Sequence, residues 1–77
     1  MRFFFDIHNG TGTERDEVGL DLRDRVAARK EAMRSLRDLV HEFLVSTAVQ
    51  RFTIDVRDGP GEPVFRAILS LEASWPA

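Results

Sequence analysis

Three stretches of the chain alternate apolar and polar residues, which is the pattern of half-buried β-strands. They are residues 2–8, 50–57 and 64–72. One apolar face is formed in each, by Phe3, Phe5 and Ile7, then Phe52, Ile54 and Val56, then Phe65, Ala67, Leu69 and Leu71. These strands are therefore expected to turn one side toward a shared core.

The region between the first two of these strands predicts one amphipathic helix. No Gly or Pro interrupts the chain from residue 25 to about residue 45, and Asp24 is a suitable N-cap. Apolar side chains recur within an arc of roughly 140° on the helical wheel; they are Val26, Met33, Leu36, Leu39, Val40, Phe43 and Leu44. The helix is expected to end near Ser46 and Thr47.

Turn residues complete the order of elements. Residues 9–13 predict a hairpin turn, a short polar edge strand is expected within 14–20, and residues 58–63 cannot continue a strand. The prediction is a two-layer α+β fold, with one helix on one face of a small antiparallel sheet, in the order β-β-α-β-β. The chain 1–77 is expected to be a single domain, with a frayed tail within 72–77.

The strand order is left open by the sequence, and one option joins the first and last strands at the centre of the sheet. With one helix, the second sheet face has no cover from within the chain. Phe4, Val64 and Ile68 are expected on that face, where an apolar patch indicates an interface. A 77-residue chain with no cysteine has a small core and no disulfide, so association would add stability.

Two arginines interrupt the apolar arc near the start of the helix. Arg25 and Arg29 are expected to form ion pairs with Asp6 or Asp16 of the first hairpin, because a charge among apolar groups needs a partner. An anion site at the helix N-terminus is the alternative. The ion pair is favoured over the anion site.

A basic stripe is predicted along the helix; its members are Lys30, Arg34, Arg37 and His41. Such a face can contact phosphates. Acidic residues run beside it, however, and the chain has a net charge of −2. A solvated helix face is therefore favoured, and the charge balance argues against nucleic acid as a partner.

No residues form a catalytic, cofactor or metal pattern. The two histidines, His8 and His41, lack the spacing of zinc ligands, and no second group predicts a general base. We therefore expect a protein that is not an enzyme and needs no cofactor. No apolar segment approaches the length of a signal peptide core or a membrane span, so the expected location is the cytoplasm.

Several segments resemble a known family. The opening RFFFDIHNG, the DEVGLDL of residues 16–22 and the AARKEAMRSL of residues 27–36 are similar to those of short uncharacterised proteins from alphaproteobacteria. The VRD and LSLE segments near the end extend the similarity over nearly the whole chain. Because this family is a domain of unknown function, the resemblance implies no activity. A looser similarity, in the order of elements and in the passage from the loop into the helix, is to HicB-type antitoxins.

Two functions follow from these features. The first is a small protein-interaction module that binds itself, as a homodimer, or an unidentified partner protein through the uncovered sheet face. The second is an antitoxin-like or RNA-associated regulator that uses the basic stripe. The sequence favours the first.

Overall fold

The computed structural model describes residues 1–10, 12–43, 49–59 and 61–76. In this part of the chain one helix packs on one face of an antiparallel sheet, so the predicted α+β class is confirmed. The elements in chain order are β1 (Arg2–His8), β2 (Thr13–Glu14), β3 (Leu20–Asp21), α1 (Arg25–Phe43), β4 (Val49–Arg57) and β5 (Phe65–Glu72).

The sheet has the order β2-β1-β4-β5, and β3 also pairs with β1. The option that joins the first and last strands is wrong, because β4 and not β5 is the neighbour of β1. The short strand expected after the first turn is split in two. β2 pairs with one end of β1 and β3 with the other.

The core lies between the sheet and the helix. Phe3, Ile54 and Val56 are its largest fully buried side chains, and they come from the two central strands. The predicted inward faces of β1 and β4 are therefore correct. On β5 the alternation holds less firmly, because Ala67 is buried but Leu69 and Leu71 are 38% and 36% exposed. This difference arises because β5 lies at the edge of the sheet.

The helix begins as predicted. The N–H of Ala27 donates to the Asp24 carboxylate over 2.9 Å, which satisfies one of the unpaired amides of the first turn. The expected end of the helix near Ser46 and Thr47, like Leu44 of the apolar arc, lies outside the described residues.

The buried face of the helix is rotated from the predicted apolar arc. Ala28, Ala32 and Leu36 are buried, whereas Val26 and Met33 are 65% and 47% exposed. Leu39 and Val40 of the predicted arc do pack against the core, as partly buried residues. The helix thus turns two alanines and one leucine to the sheet, and Val26 and Met33 lie at its flank.

Gly19 connects the loop after β2 to β3. Its φ of +78° is favourable only without a side chain. A Cβ at this position would lie 2.9 Å from Arg2 Cγ and 2.9 Å from Phe4 Cε2. The loop therefore needs glycine here for both its backbone angle and its contact with β1.

We predict that Gly19→Ala lowers the free energy of unfolding more than Gly10→Ala does. Gly10 also has a positive φ, +87°, but open space around it. Gly10→Ala should cost about 1 kcal/mol for the backbone angle. Gly19→Ala should add roughly 1–3 kcal/mol for overpacking. Urea denaturation of both variants measures the difference, and equal losses would contradict the close packing of Gly19.

Candidate functional site

The sheet face opposite the helix carries a buried ion pair. Asp6 on β1 and Arg57 on β4 are only 7% and 6% exposed. Arg57 Nε donates to Asp6 Oδ2 over 2.7 Å, and Nη2 donates to Oδ1 over 3.1 Å. This two-bond geometry is the strongest that a guanidinium and a carboxylate form.

Arg57 makes three further contacts. Its Nη1 donates to the Gly59 carbonyl over 3.0 Å, and its Nη2 donates to the Asp16 carbonyl over 2.8 Å. The guanidinium carbon lies 4.9 Å from the ring centroid of Phe4, within the range of a cation–π interaction. One side chain thus joins β1, the loop after β2 and the turn after β4.

Asp16 closes the outer edge of β1 between β2 and β3. Its carboxylate accepts the N–H of Phe5 on β1, and those of Val18 and Gly19 in its own loop, each over 3.0 Å. Its own N–H donates to Asp6 Oδ1 over 2.9 Å. The carboxylate therefore takes the place of a neighbouring strand at the middle of β1.

The network favours ionised carboxylates. The hydrogen bonds from Arg57 lower the pKa of Asp6 below its ordinary value, against the opposing effect of burial. Burial raises the pKa of Asp16, but the N–H groups of Gly19, Phe5 and Val18 outweigh it and leave this pKa lowered. The bonds with Asp6 raise the pKa of Arg57. All three groups are thus charged at neutral pH.

A second, more exposed network lies beside the first. Asp55 accepts from Arg66 of β5 through both guanidinium nitrogens Nε and Nη2, and these bonds lower the pKa of Asp55. His8 Nε2 lies 3.3 Å from Asp55 Oδ2, and its Nδ1 lies 2.8 Å from Thr13 Oγ1. Polar side chains thus cross the sheet from β2 to β5.

The ion pairs predicted for Arg25 and Arg29 with Asp6 or Asp16 are wrong. Arg25 Nη2 pairs instead with Asp58 Oδ2, over 3.3 Å, and Arg29 is exposed. The reason is geometric. Asp6 points to the sheet face opposite the helix, where only strand and loop side chains reach it.

An apolar pocket of about 240 Å³ lies between the first turns of the helix and the start of β5. It is lined by Arg25, Val26, Ala28, Arg29, Val56, Val64 and Phe65. Its walls are aliphatic and aromatic, with the two arginines among them. This pocket is where the structure brings Arg25 and Arg29 together.

The predicted apolar patch on the open sheet face does not exist as one surface. Val64 packs against the core and lines a pocket with residues of the helix. Its N–H donates to the Val56 carbonyl over 2.7 Å, just before β5 begins. Phe4 is half-buried, and the Arg57 guanidinium lies over its ring. Ile68, which is 49% exposed, is the member of the predicted set that remains available.

β5 carries three accessible apolar side chains of its own. Ile68, Leu69 and Leu71 are 49%, 38% and 36% exposed. No described strand pairs with the outer edge of β5. The alternation of β5 predicts Leu69 and Leu71 in the core. They are accessible because β5 has β4 as its one neighbour among the described strands, which is a property of the tertiary structure.

The basic stripe is exposed on the outer side of the helix. Arg34 bonds Glu31 over 2.7 Å, and this pair raises the pKa of Arg34. Arg37 Nε lies 3.8 Å from a carboxylate oxygen of Asp38. Lys30 and His41 are also exposed. Two of the four residues of the stripe, Arg34 and Arg37, thus lie beside acidic side chains. An RNA-associated role for the stripe stays a prediction.

Residues 1–10, 12–43, 49–59 and 61–76 contain no group of three or more His, Asp or Glu placed to hold a metal ion. Within the same ranges, no helix has both the length and the apolar character required to cross a bilayer.

The fold and these surfaces define a small α+β domain with one helix on an antiparallel sheet, a sealed edge at β1 and an accessible edge at β5. The chain belongs to the DUF6894 family, described as a domain of unknown function, whose model matches residues 2–70. No curated protein and no solved structure matches the chain.

We predict that Arg57→Met lowers the free energy of unfolding by about 3–5 kcal/mol, because it leaves the buried Asp6 carboxylate without its partner. The double variant Asp6→Leu with Arg57→Met should lose less than the single variant, since it leaves no buried charge unpaired. Arg37→Met, which removes an exposed arginine, is the matched control and should leave stability unchanged. Urea denaturation measures the free energy of unfolding of all three variants. A double variant that is less stable than Arg57→Met would contradict the proposed cost of an unpaired buried charge.

We further predict acid sensitivity at a defined pH. Asp6, Asp16 and Asp55 have lowered pKa values in the folded state, so folding favours their ionised forms. Their stabilisation is complete above the ordinary aspartate pKa of about 3.9 and is lost as the pH falls through the lower folded values. The urea midpoint should hold from about pH 7 to 5 and fall below about pH 4. A midpoint that is constant down to about pH 3 would refute this assignment.

Proposed function

We propose that this protein is a protein-interaction module that pairs with a second copy of itself through the free edge of β5. The observation that carries the proposal is the exposed apolar strand at this edge. Residues 67–71 read Ala-Ile-Leu-Ser-Leu, with no charge and no proline. Natural edge strands are normally protected by charged residues or proline, because an unprotected edge pairs readily with another strand.

The contrast between the two edges of the sheet supports this choice. β1 is covered by β2 at one end, by β3 at the other and by the Asp16 carboxylate between them. β5 is eight residues long and lies next to β4 alone among the described strands. Backbone donors and acceptors along β5 are therefore available to a second chain.

A second copy is the favoured occupant because the edge is complementary to itself. Two β5 strands that pair in antiparallel directions join their sheets and place apolar side chains of one copy against those of the other. Such a dimer also enlarges the core of a domain that is small on its own. A different partner protein that adds a strand at this edge is the alternative that the experiment separates.

We predict that Ile68→Glu converts a dimer to a monomer. The substitution places a carboxylate at the edge where the second strand would lie, and burying it there is unfavourable. The expected readout is a halved mass in light scattering or sedimentation equilibrium, at a protein concentration where the natural chain is dimeric.

Val18→Glu is the matched control. Val18 is 77% exposed, in the loop that seals the opposite edge, so the variant carries the same charge change and should stay dimeric. Far-UV circular dichroism should show the same fold in both variants. A natural chain that is monomeric at every concentration, or an Ile68→Glu variant that remains a dimer, would overturn the proposal.

A further inference from the structure

An exposed aromatic side chain and an apolar pocket lie at opposite ends of β5. Trp75, just beyond the strand, is 96% exposed. At the start of the strand, Val64 and Phe65 line the apolar pocket of about 240 Å³. A large aromatic side chain in full contact with water and an accessible apolar pocket are complementary in chemistry.

The two features cannot meet within one molecule. β5 extends from Phe65 to Glu72, and seven steps of about 3.3 Å separate its ends by roughly 23 Å. Trp75 lies beyond the far end of the strand, whereas the pocket adjoins the near end. An indole that fills this pocket must therefore come from another molecule.

We propose that Trp75 of one copy inserts into the pocket of a second copy, an inference that rests on the pairing of β5 edges proposed above. Each copy donates one indole and receives one, because the two chains are related by a two-fold axis. The segment 73–76 is then an arm that extends over the second copy.

The charges on β5 select the register of this pairing. Residues that face each other in two antiparallel strands point to the same side of the sheet. In a pair of identical strands, the two numbers of each facing pair are therefore both even or both odd. One residue then lies at the centre of the pairing, opposite the same residue of the second copy. Centred on Leu69, it places Arg66 opposite Glu72 of the second copy. Centred on Ile68 or Ser70, it places Arg66 opposite a serine. Arg66 uses Nε and Nη2 for Asp55, and a guanidinium has further donors for a second carboxylate.

The register centred on Leu69 brings the indole to the pocket. It places Trp75 of the second copy opposite Pro63, next to Val64 and Phe65. If the strand direction continues, Trp75 lies on the same side as Phe65, because both have odd numbers and side chains alternate. That side faces the helix, where the pocket opens.

The pocket suits one aromatic side chain. Its volume is below that of typical small-molecule sites, and Val56 and Ala28 on its wall are almost fully buried. Arg25 and Arg29 are also part of the wall, and a guanidinium beside an indole ring makes a favourable cation–π contact. The pocket and the arm thus match in size, polarity and position.

Tryptophan fluorescence tests the insertion directly, because Trp75 is the only tryptophan in the chain. We expect the emission of the natural dimer to be shifted to the blue and protected from iodide quenching. Dilution to the monomer, or Ile68→Glu, should return the emission of a solvated indole. Trp75→Ala should raise the dimer dissociation constant at least about tenfold, as the loss of a buried interface tryptophan does.

Two pairs of variants test the side of the sheet to which the indole points and the register of the two β5 strands. The exchange Ser74→Trp with Trp75→Ser keeps the composition but turns the indole to the other face, so it should behave like Trp75→Ala. Glu72→Arg should weaken the dimer by opposing Arg66, whereas Glu42→Arg on the helix should not. Both pairs use exposed positions, which keeps effects on folding small.

The outcomes separate the two proposals. A dimer with solvent-like emission, unchanged by Trp75→Ala, would overturn the insertion and leave the pairing of β5 edges intact. A natural chain that is monomeric at every concentration would overturn both. A dimer with protected emission that weakens in Trp75→Ala and in the Ser74–Trp75 exchange supports the insertion.

Discussion

The buried pair of Asp6 and Arg57 is the interaction on which the rest of the structure depends. It joins two central strands whose paired residues are 51 positions apart in sequence. A buried charge needs a partner and further hydrogen bonds, and Arg57 also donates to the Asp16 and Gly59 carbonyls. The pair therefore fixes the loop after β2 and the turn after β4 as well as the strands.

This constraint makes the two edges of the sheet unequal. The loop held by Arg57 brings the Asp16 carboxylate against the N–H of Phe5, so the edge of β1 is sealed. β5 receives no such cover from the described residues. The network around Asp6 and Arg57 does not reach β5, and this is the edge at which the pairing is proposed.

The network also explains why the open sheet face is not apolar. Arg57 lies over the ring of Phe4, and Arg66 on β5 bonds Asp55, which faces it on β4. Arginine has an apolar stem with a charged end, so it can cover an aromatic ring and still remain compatible with water. The sheet face opposite the helix is therefore covered by charged and polar side chains, and Ile68 on β5 is its exposed large aliphatic residue.

The sequence by itself determined the elements and the class of this protein. Alternation and helical spacing act within a few residues, so β1, β4, β5, the Asp24 cap and the inward faces of the central strands could be predicted. Only the tertiary structure decided which strands are neighbours, which partner Asp6 finds and where Val64 points. These depend on contacts between residues far apart in the chain, and a pattern of spacing carries no information about them.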